Sequence, residues 1–250
     1  MPVLVLWVGL FARLEGVGWG VFGPGLGGRG AAGHDGRMKW STGVHHVEIA
    51  ARACADMAEM PASLGWLRVT QLWAAGAIVG PPTELEWVTI ALSVDLPAPQ
   101  VPWWSFPAGA EGWADRTRLS KYPLVRWWRS ARAPVWNHRI VRPVLVWDQA
   151  SGVNTGALEA LRDGRGAAVG LPEPTVEELA ARLEEELAIN LPALVARNRE
   201  YEDRRWGRGG LEPTADGLWH ATDGYLDLLA ARDALRAPSA PDGQASSSRR

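Results

Sequence analysis

Residues 67–96 read LRVTQLWAAGAIVGPPTELEWVTIALSVDL, and this stretch decides the fold. Leu67 to Ala75, with Val69, Thr70 and Trp73, reads as a strand. Gly76 to Pro82 holds two glycines and two prolines, so it reads as a turn. Leu85 to Leu96 is a second strand, stopped by Pro97, Pro99 and Pro102. A strand pair alone buries too little, so helices must cover it.

Working outward, Ser41 or Thr42 can cap a helix in which Val44, Val47, Ala51, Cys54 and Ala58 form one stripe, ended by Pro61. Residues 97–113 form a Pro/Trp/Gly loop, and helical stretches are expected near 111–120 and 123–132. Arg139 to Trp147 reads as a third strand, with Pro143 suggesting an edge or a bulge. A short helix is expected at 155–163.

Thr175 and Glu178 form a capping box, followed by an apolar face of Val176, Leu179, Leu183 and Leu187. Pro192 is expected to kink or restart that helix before about Trp206. A last helix covers 214–236, with Leu218, Thr222, Tyr225, Leu226, Leu229 and Ala230 on one face. The predicted class is α+β: a small mixed sheet flanked by helices, then a C-terminal helical segment. The expected units are an extension at 1–37, a core at 38–165, helices at 173–236 and a disordered tail at 237–250.

The chain has 250 residues, 47% hydrophobic and 22% charged, which suits a buried core. Its net charge of −2 argues against a wholly basic nucleic-acid protein. One cysteine, Cys54, excludes an intramolecular disulfide framework and a multi-Cys zinc site. A reducing cytoplasm is the expected compartment. Val3 to Ala12 is the longest clean apolar run and is too short to span a bilayer as a helix, so no membrane partner is expected. Residues 1–37 hold 11 of the 28 glycines, and Met38 is the expected true start, with 1–37 a mis-called extension or a disordered arm. Gly23 to Gly28 matches G-x-G-x-x-G, but a poor helix start follows it. The 24 Arg against 2 Lys fit a GC-rich bacterial genome, and 15 Trp must find buried or half-buried places.

Glu84 and Glu86 enter the second strand at i and i+2, on one face, where paired carboxylates can hold Mg²⁺. The alternative is the solvated start of a strand. Arg116 to Arg142 carries eight basic residues and no acid, interleaved with Trp127, Trp128 and Trp136. Such a run can bind nucleotide phosphates or nucleic acid. It can equally pair with residues 173–203, where nine acids face three Arg. His138 at a strand entry is an acid–base candidate or a structural histidine. His45 and His46 point about 100° apart on a helix and cannot share one ion.

The order helix, strand, Gly turn, acidic pair, later strand resembles the core of the nucleotidyltransferase superfamily of the polymerase-beta type. The resemblance implies a nucleotide-binding turn at Gly76 and Gly80. It also implies Mg²⁺ ligands at Glu84, Glu86 and Asp148, and triphosphate contacts from Arg139, Arg142 and His138. The sequence departs from that pattern: Ala77 stands where the family has Ser, the pair is Glu rather than Asp, and Pro81-Pro82 occupy a helix start. The runs MKWSTGVHH (38–46) and WRSARAPVWNHRIVRPVLVW (128–147) resemble an uncharacterised bacterial family of unknown function. Two functions follow as expectations. One is a divergent nucleotidyltransferase-like domain, active or inactive, that binds a nucleotide or polyanion. The other is a non-enzymatic interaction or regulatory module.

Overall fold

A computed structural model of the chain describes residues 37–61, 65–207 and 212–236. The expectations for 1–36 and for the tail from 237 lie outside the described residues.

Helix α1 spans Trp40–Ala58 and buries Val44, Val47, Ala50, Ala51 and Cys54. It starts one residue before the expected caps, with Lys39 at the N-cap. The Trp40 indole N–H donates to Leu161 O at 3.0 Å and ties the helix start to the rest of the domain.

Strands β1 (Val69–Ala75) and β2 (Val88–Val94) pair antiparallel, as the opening stretch dictates. Between them Gly76–Val79 forms one 3₁₀ turn, and Gly76 has φ +69°, which a glycine adopts without strain. Residues 95–123, including α2 (Ala110–Arg116), cross back to β3 (Leu124–Ser130), which pairs parallel with β2. A parallel neighbour requires a connection of this length.

Strand β3 corrects the expectation of a helix at 123–132. Leu124 and Trp128 join one core cluster, while Trp127 packs against the other. A segment apolar on alternating sides suits a sheet covered on both faces, and its aromatic and β-branched content fits.

Strand β4 (Val144–Asp148) lies against β1, and a short β5 (Gly152–Val153) completes the order β3-β2-β1-β4-β5. The third expected strand therefore starts later, after Pro143, and β4 is internal rather than an edge. A register shift against β1 falls between Leu72 and Trp73.

Helices α3 (Thr155–Arg162) and α4 (Gly166–Val169) follow. Asn154 caps α3 by accepting from Ala157 N at 3.0 Å. One core layer joins α1 and α3 to the sheet through Val47, Leu72, Ile90, Val146 and Leu161.

The opposite face of the sheet is covered by α5 (Val176–Arg204) and α6 (Glu212–Arg236). Trp73, Ala91, Trp103, Leu183, Leu187 and Leu228 form that second layer. The Thr175–Glu178 capping box is present in full. Pro192 sits inside α5 without ending it. Ala188, whose carbonyl loses its helical donor, and Pro192 are both exposed, so water can satisfy that carbonyl. On α6 Thr214, Gly224 and Leu228 are buried, and Tyr225 and Leu229, expected on the core face, pack against the second layer, whereas Leu226 and Ala230, expected there too, are exposed.

Candidate functional site

Leu85 forms a two-way backbone bridge with Met38, and its side chain is buried. Glu84 and Glu86 flank it and are exposed. They line an open cleft of about 340 Å³ together with Arg37, Ala77, Leu85 and Trp87. The Gly76 turn and both glutamates therefore meet at one end of the sheet. Gly80 is extended, and its N–H donates to Ala77 O at 3.1 Å.

Asp148 does not join them. It pairs with Gln71 across β4 and β1, level with Ser93 of β2. Val88 lies five residues back along β2, about 17 Å away at the rise of a strand, and Glu86 lies beyond it. The three carboxylates are thus at opposite ends of the sheet and cannot share an ion. Asp148 instead accepts from Gln71 at 2.9 Å and from Ala150 N at 2.8 Å. Its pKa is lowered, first by Gln71 and against the effect of burial, with help from the Ala150 and Ser151 amides. Among the described residues, no three His, Cys, Asp or Glu side chains are grouped to hold a metal.

The basic run divides. Arg132 pairs with Asp95 at 3.0 Å, and Arg142 donates to Ala167 O at 2.8 Å. Arg116, Arg118 and Lys121 are exposed, and Arg126 is half-buried. The remaining members enter two polar clusters under the C-terminal hairpin.

The first centres on Asp227 of α6, whose side chain is 9% exposed. Its carboxylate accepts from the Trp103 indole at 2.9 Å, from His138 Nε2 at 2.6 Å and from Arg139 Nε at 3.1 Å. Burial pushes the Asp227 pKa up, but the His138 and Arg139 hydrogen bonds, the His138 charge and the Trp103 N–H outweigh it and leave it at about 2. His138 Nδ1 is buried with no hydrogen-bond partner, so no nucleophile is poised on this pair. Gly224 lets α6 approach: a Cβ there would sit 2.5 Å from Trp103 O.

The second cluster centres on Glu186 of α5. Arg129 pairs with its Oε1, Arg182 reaches the same oxygen at 3.0 Å, and Asn137 donates to Oε2 at 3.1 Å. All four side chains are buried. Asn137 also accepts from the Arg139 and Ile140 amides, which fixes the loop carrying His138. Burial lowers the Arg129 pKa; Glu186 opposes this, and Arg182 adds to it. Trp103 lies under the Arg129 guanidinium, 5.3 Å from its ring centre, and stacks on Trp127.

Chemically, these clusters are clamps that hold the hairpin on the sheet. Pairing with residues 173–203, the alternative for the basic run, holds for Arg129 through Glu186, whereas Arg139 pairs with Asp227 of the last helix. Of the residues assigned to a triphosphate, Arg139 and His138 are engaged by Asp227, and Arg142 by a carbonyl. Sequence reasoning missed Glu186 and Asp227. A signal existed: Glu186 lies between Leu183 and Leu187 on the buried stripe, and Asp227 adjoins Leu228.

A family model matches residues 38–234, which takes in the sheet and most of the C-terminal hairpin. The chain belongs to the family Domain of unknown function (DUF7711). No curated protein and no solved structure matches it. The DUF7711 match agrees with the resemblance of residues 38–46 and 128–147 to an uncharacterised family, and no match carries the nucleotidyltransferase resemblance. Among the described residues of the DUF7711 domain, no helix is long and apolar enough to cross a membrane.

Proposed function

We propose that the DUF7711 domain is a non-enzymatic interaction module that associates with a second copy of itself through the outer face of its C-terminal hairpin. The observation that carries this is helix α6, which is apolar on two opposite faces. Leu228 is fully buried on the sheet, while Trp219 and Leu226, two turns apart on the other side, are 48% and 54% exposed. A helix apolar all round belongs inside a larger packed body.

Helix α5 supplies Leu191 and Val195, also exposed. Contacts of Arg204 with Thr214 and of Arg236 with Glu184 fix the hairpin register. That register sets Leu191 and Val195 level with residues 222–228 of α6. Trp206 and Trp219 together leave roughly 250 Å² of indole in water. Doubled across a two-fold axis and joined by Leu191, Val195 and Leu226, this approaches the roughly 1,200 Å² of a small specific interface.

Charge favours a copy over a charged partner. Residues 191–226 hold five Arg against six Asp and Glu. Several pair within α5, as Arg197 with Glu200 and Arg205 with Glu202. Two such hairpins would form a four-helix bundle, an arrangement helices reach readily. Light scattering of wild type against Leu226→Glu tests this: a dimer that becomes a monomer supports it, and unchanged mass removes it.

A second reading rests on the cleft at Ala77, Glu84, Glu86 and Trp87. It keeps the divergent nucleotidyltransferase-like idea as an inactive nucleotide binder, since two carboxylates rather than three converge there. Glu84 and Glu86 would hold Mg²⁺, and the Trp87 ring would meet a base. Thermal unfolding with ATP, GTP, CTP and UTP, each with and without Mg²⁺, tests it. A Mg²⁺-dependent rise in Tm lost in Glu86→Gln supports it. No rise with any of the four discards it.

A further inference from the structure

The two faces of the sheet are covered differently. Beneath α1 and α3 the layer is apolar. Among the described residues, the ion pairs with both partners buried lie on the other face, at Glu186. There the hairpin's buried side chains are three apolar ones, Leu183, Leu187 and Leu228, and four polar ones, Arg182, Glu186, Asn190 and Thr214. A buried ionic cluster adds little net adhesion, because lost hydration offsets its attraction. Closure also leaves polar groups unmet. Of nine buried side-chain nitrogens without a partner among the described residues, five lie in this layer: Trp73 and Trp104 Nε1, Arg129 and Arg182 Nε, and His138 Nδ1. Solvent reaches them when the layer opens, which lowers the cost of opening.

The hairpin is also joined so that it can move as one body. Residues 172–174 connect it to the sheet and make no backbone hydrogen bond to it. Pro172 and Pro174 have no N–H to donate, and Pro172 and Glu173 are exposed. The two helices are tied to each other by Arg204 with Thr214 and by Arg236 with Glu184. We propose that α5 and α6 form a hinged lid. It undocks from the sheet as one body about residues 172–174, uncovers Trp73 and Trp103, and leaves the apolar layer beneath α1 and α3 intact. A few loop residues suffice to absorb such a rotation, and elements of low local stability open without global unfolding. The motion concerns the inner face of the hairpin, so it is independent of self-association through the outer face.

The test is thiol labelling of the full chain with iodoacetamide under native conditions. Cys54, the chain's one cysteine, is buried in the apolar layer and reports its loss. Leu183→Cys and Leu228→Cys, in separate chains, place a second thiol on the inner face of each lid helix, where both positions are 0% exposed. Each rate is divided by that of the same site in urea-unfolded chain. Strain that a new side chain puts on the closed lid speeds both thiols of that chain alike and cancels in their ratio. The expected result is one common ratio for sites 183 and 228, at least about 100-fold above Cys54. Leu161→Ala opens a cavity in the apolar layer, which the closed and open lid share. It should speed Cys54 about 30-fold or more and leave sites 183 and 228 unchanged. Val47→Ala makes the same comparison in a milder form. Equal rates at all three sites, or acceleration of all three by the apolar-layer variants, would overturn the proposal, because the hairpin would then open only with the whole domain. Unequal ratios at 183 and 228 would overturn it too, since the helices would then open separately.

Discussion

Replacing Glu186 with alanine would strand two guanidiniums in the interior. Arg129 and Arg182 are 3% and 6% exposed, and Glu186 is the one buried carboxylate both reach. Asn137 would lose its acceptor as well, while the Asn190 bond to the Glu186 carbonyl would remain. Removing one partner of a buried ion pair typically costs about 3–5 kcal/mol. That is a large share of the roughly 5–15 kcal/mol that holds a domain folded. Urea unfolding followed by tryptophan emission reads this directly, since Trp103 lies beneath Arg129. With a slope of about 2 kcal/mol/M, the midpoint should fall by about 1.5–2.5 M. The triple variant Arg129→Met/Arg182→Met/Glu186→Leu should recover much of the loss, because buried ionic groups replaced together by apolar ones are often neutral. A midpoint shift below about 0.5 M for Glu186→Ala would refute the reading of Glu186 as the clamp of α5.

Asp227→Asn should cost about 2–3 kcal/mol at neutral pH, because the folded carboxyl is held at about 2, below its ordinary 3.8. A lowered folded pKa stabilises above about pH 4 and loses that contribution as pH falls toward 2. Denaturant unfolding of both proteins between pH 7 and 2 should show the gap narrowing over that window; a constant gap contradicts the assignment. Gly224→Ala should destabilise by about 1–3 kcal/mol despite its better helix propensity, since the new methyl meets Trp103 O at 2.5 Å and Trp104 Cβ at 2.9 Å. Gly112→Ala, whose methyl meets nothing closer than 3.7 Å, is the control and should leave calorimetric Tm unchanged or raised. Trp219→Glu should abolish self-association while leaving the monomer's unfolding transition in place.

The opening strand pair was legible because its β-branched runs and its Gly/Pro turn agree. The capping box at Thr175 was legible because two residues at fixed spacing satisfy each other. Strand β3 was not, because residues 124–130 alternate on a sheet buried on both sides and so lack a polar face to show the period. The α6 core face was legible in part, in Tyr225 and Leu229; with apolar residues on two faces, spacing alone could not exclude Leu226 and Ala230 from it. The carboxylate triad failed on register, which a sequence does not display; an antiparallel β1 carries Asp148 to the far end. Asp227 and Glu186 went unseen because acids in a helix read as surface until the buried cations opposite them are placed.

Sedimentation equilibrium of the chain over a range of concentrations tests the central claim most directly. The account predicts a species of twice 27.1 kDa that dissociates on dilution and is absent in Trp219→Glu and Leu226→Glu. A 27.1 kDa monomer at every concentration, with wild type and variants indistinguishable, would contradict it.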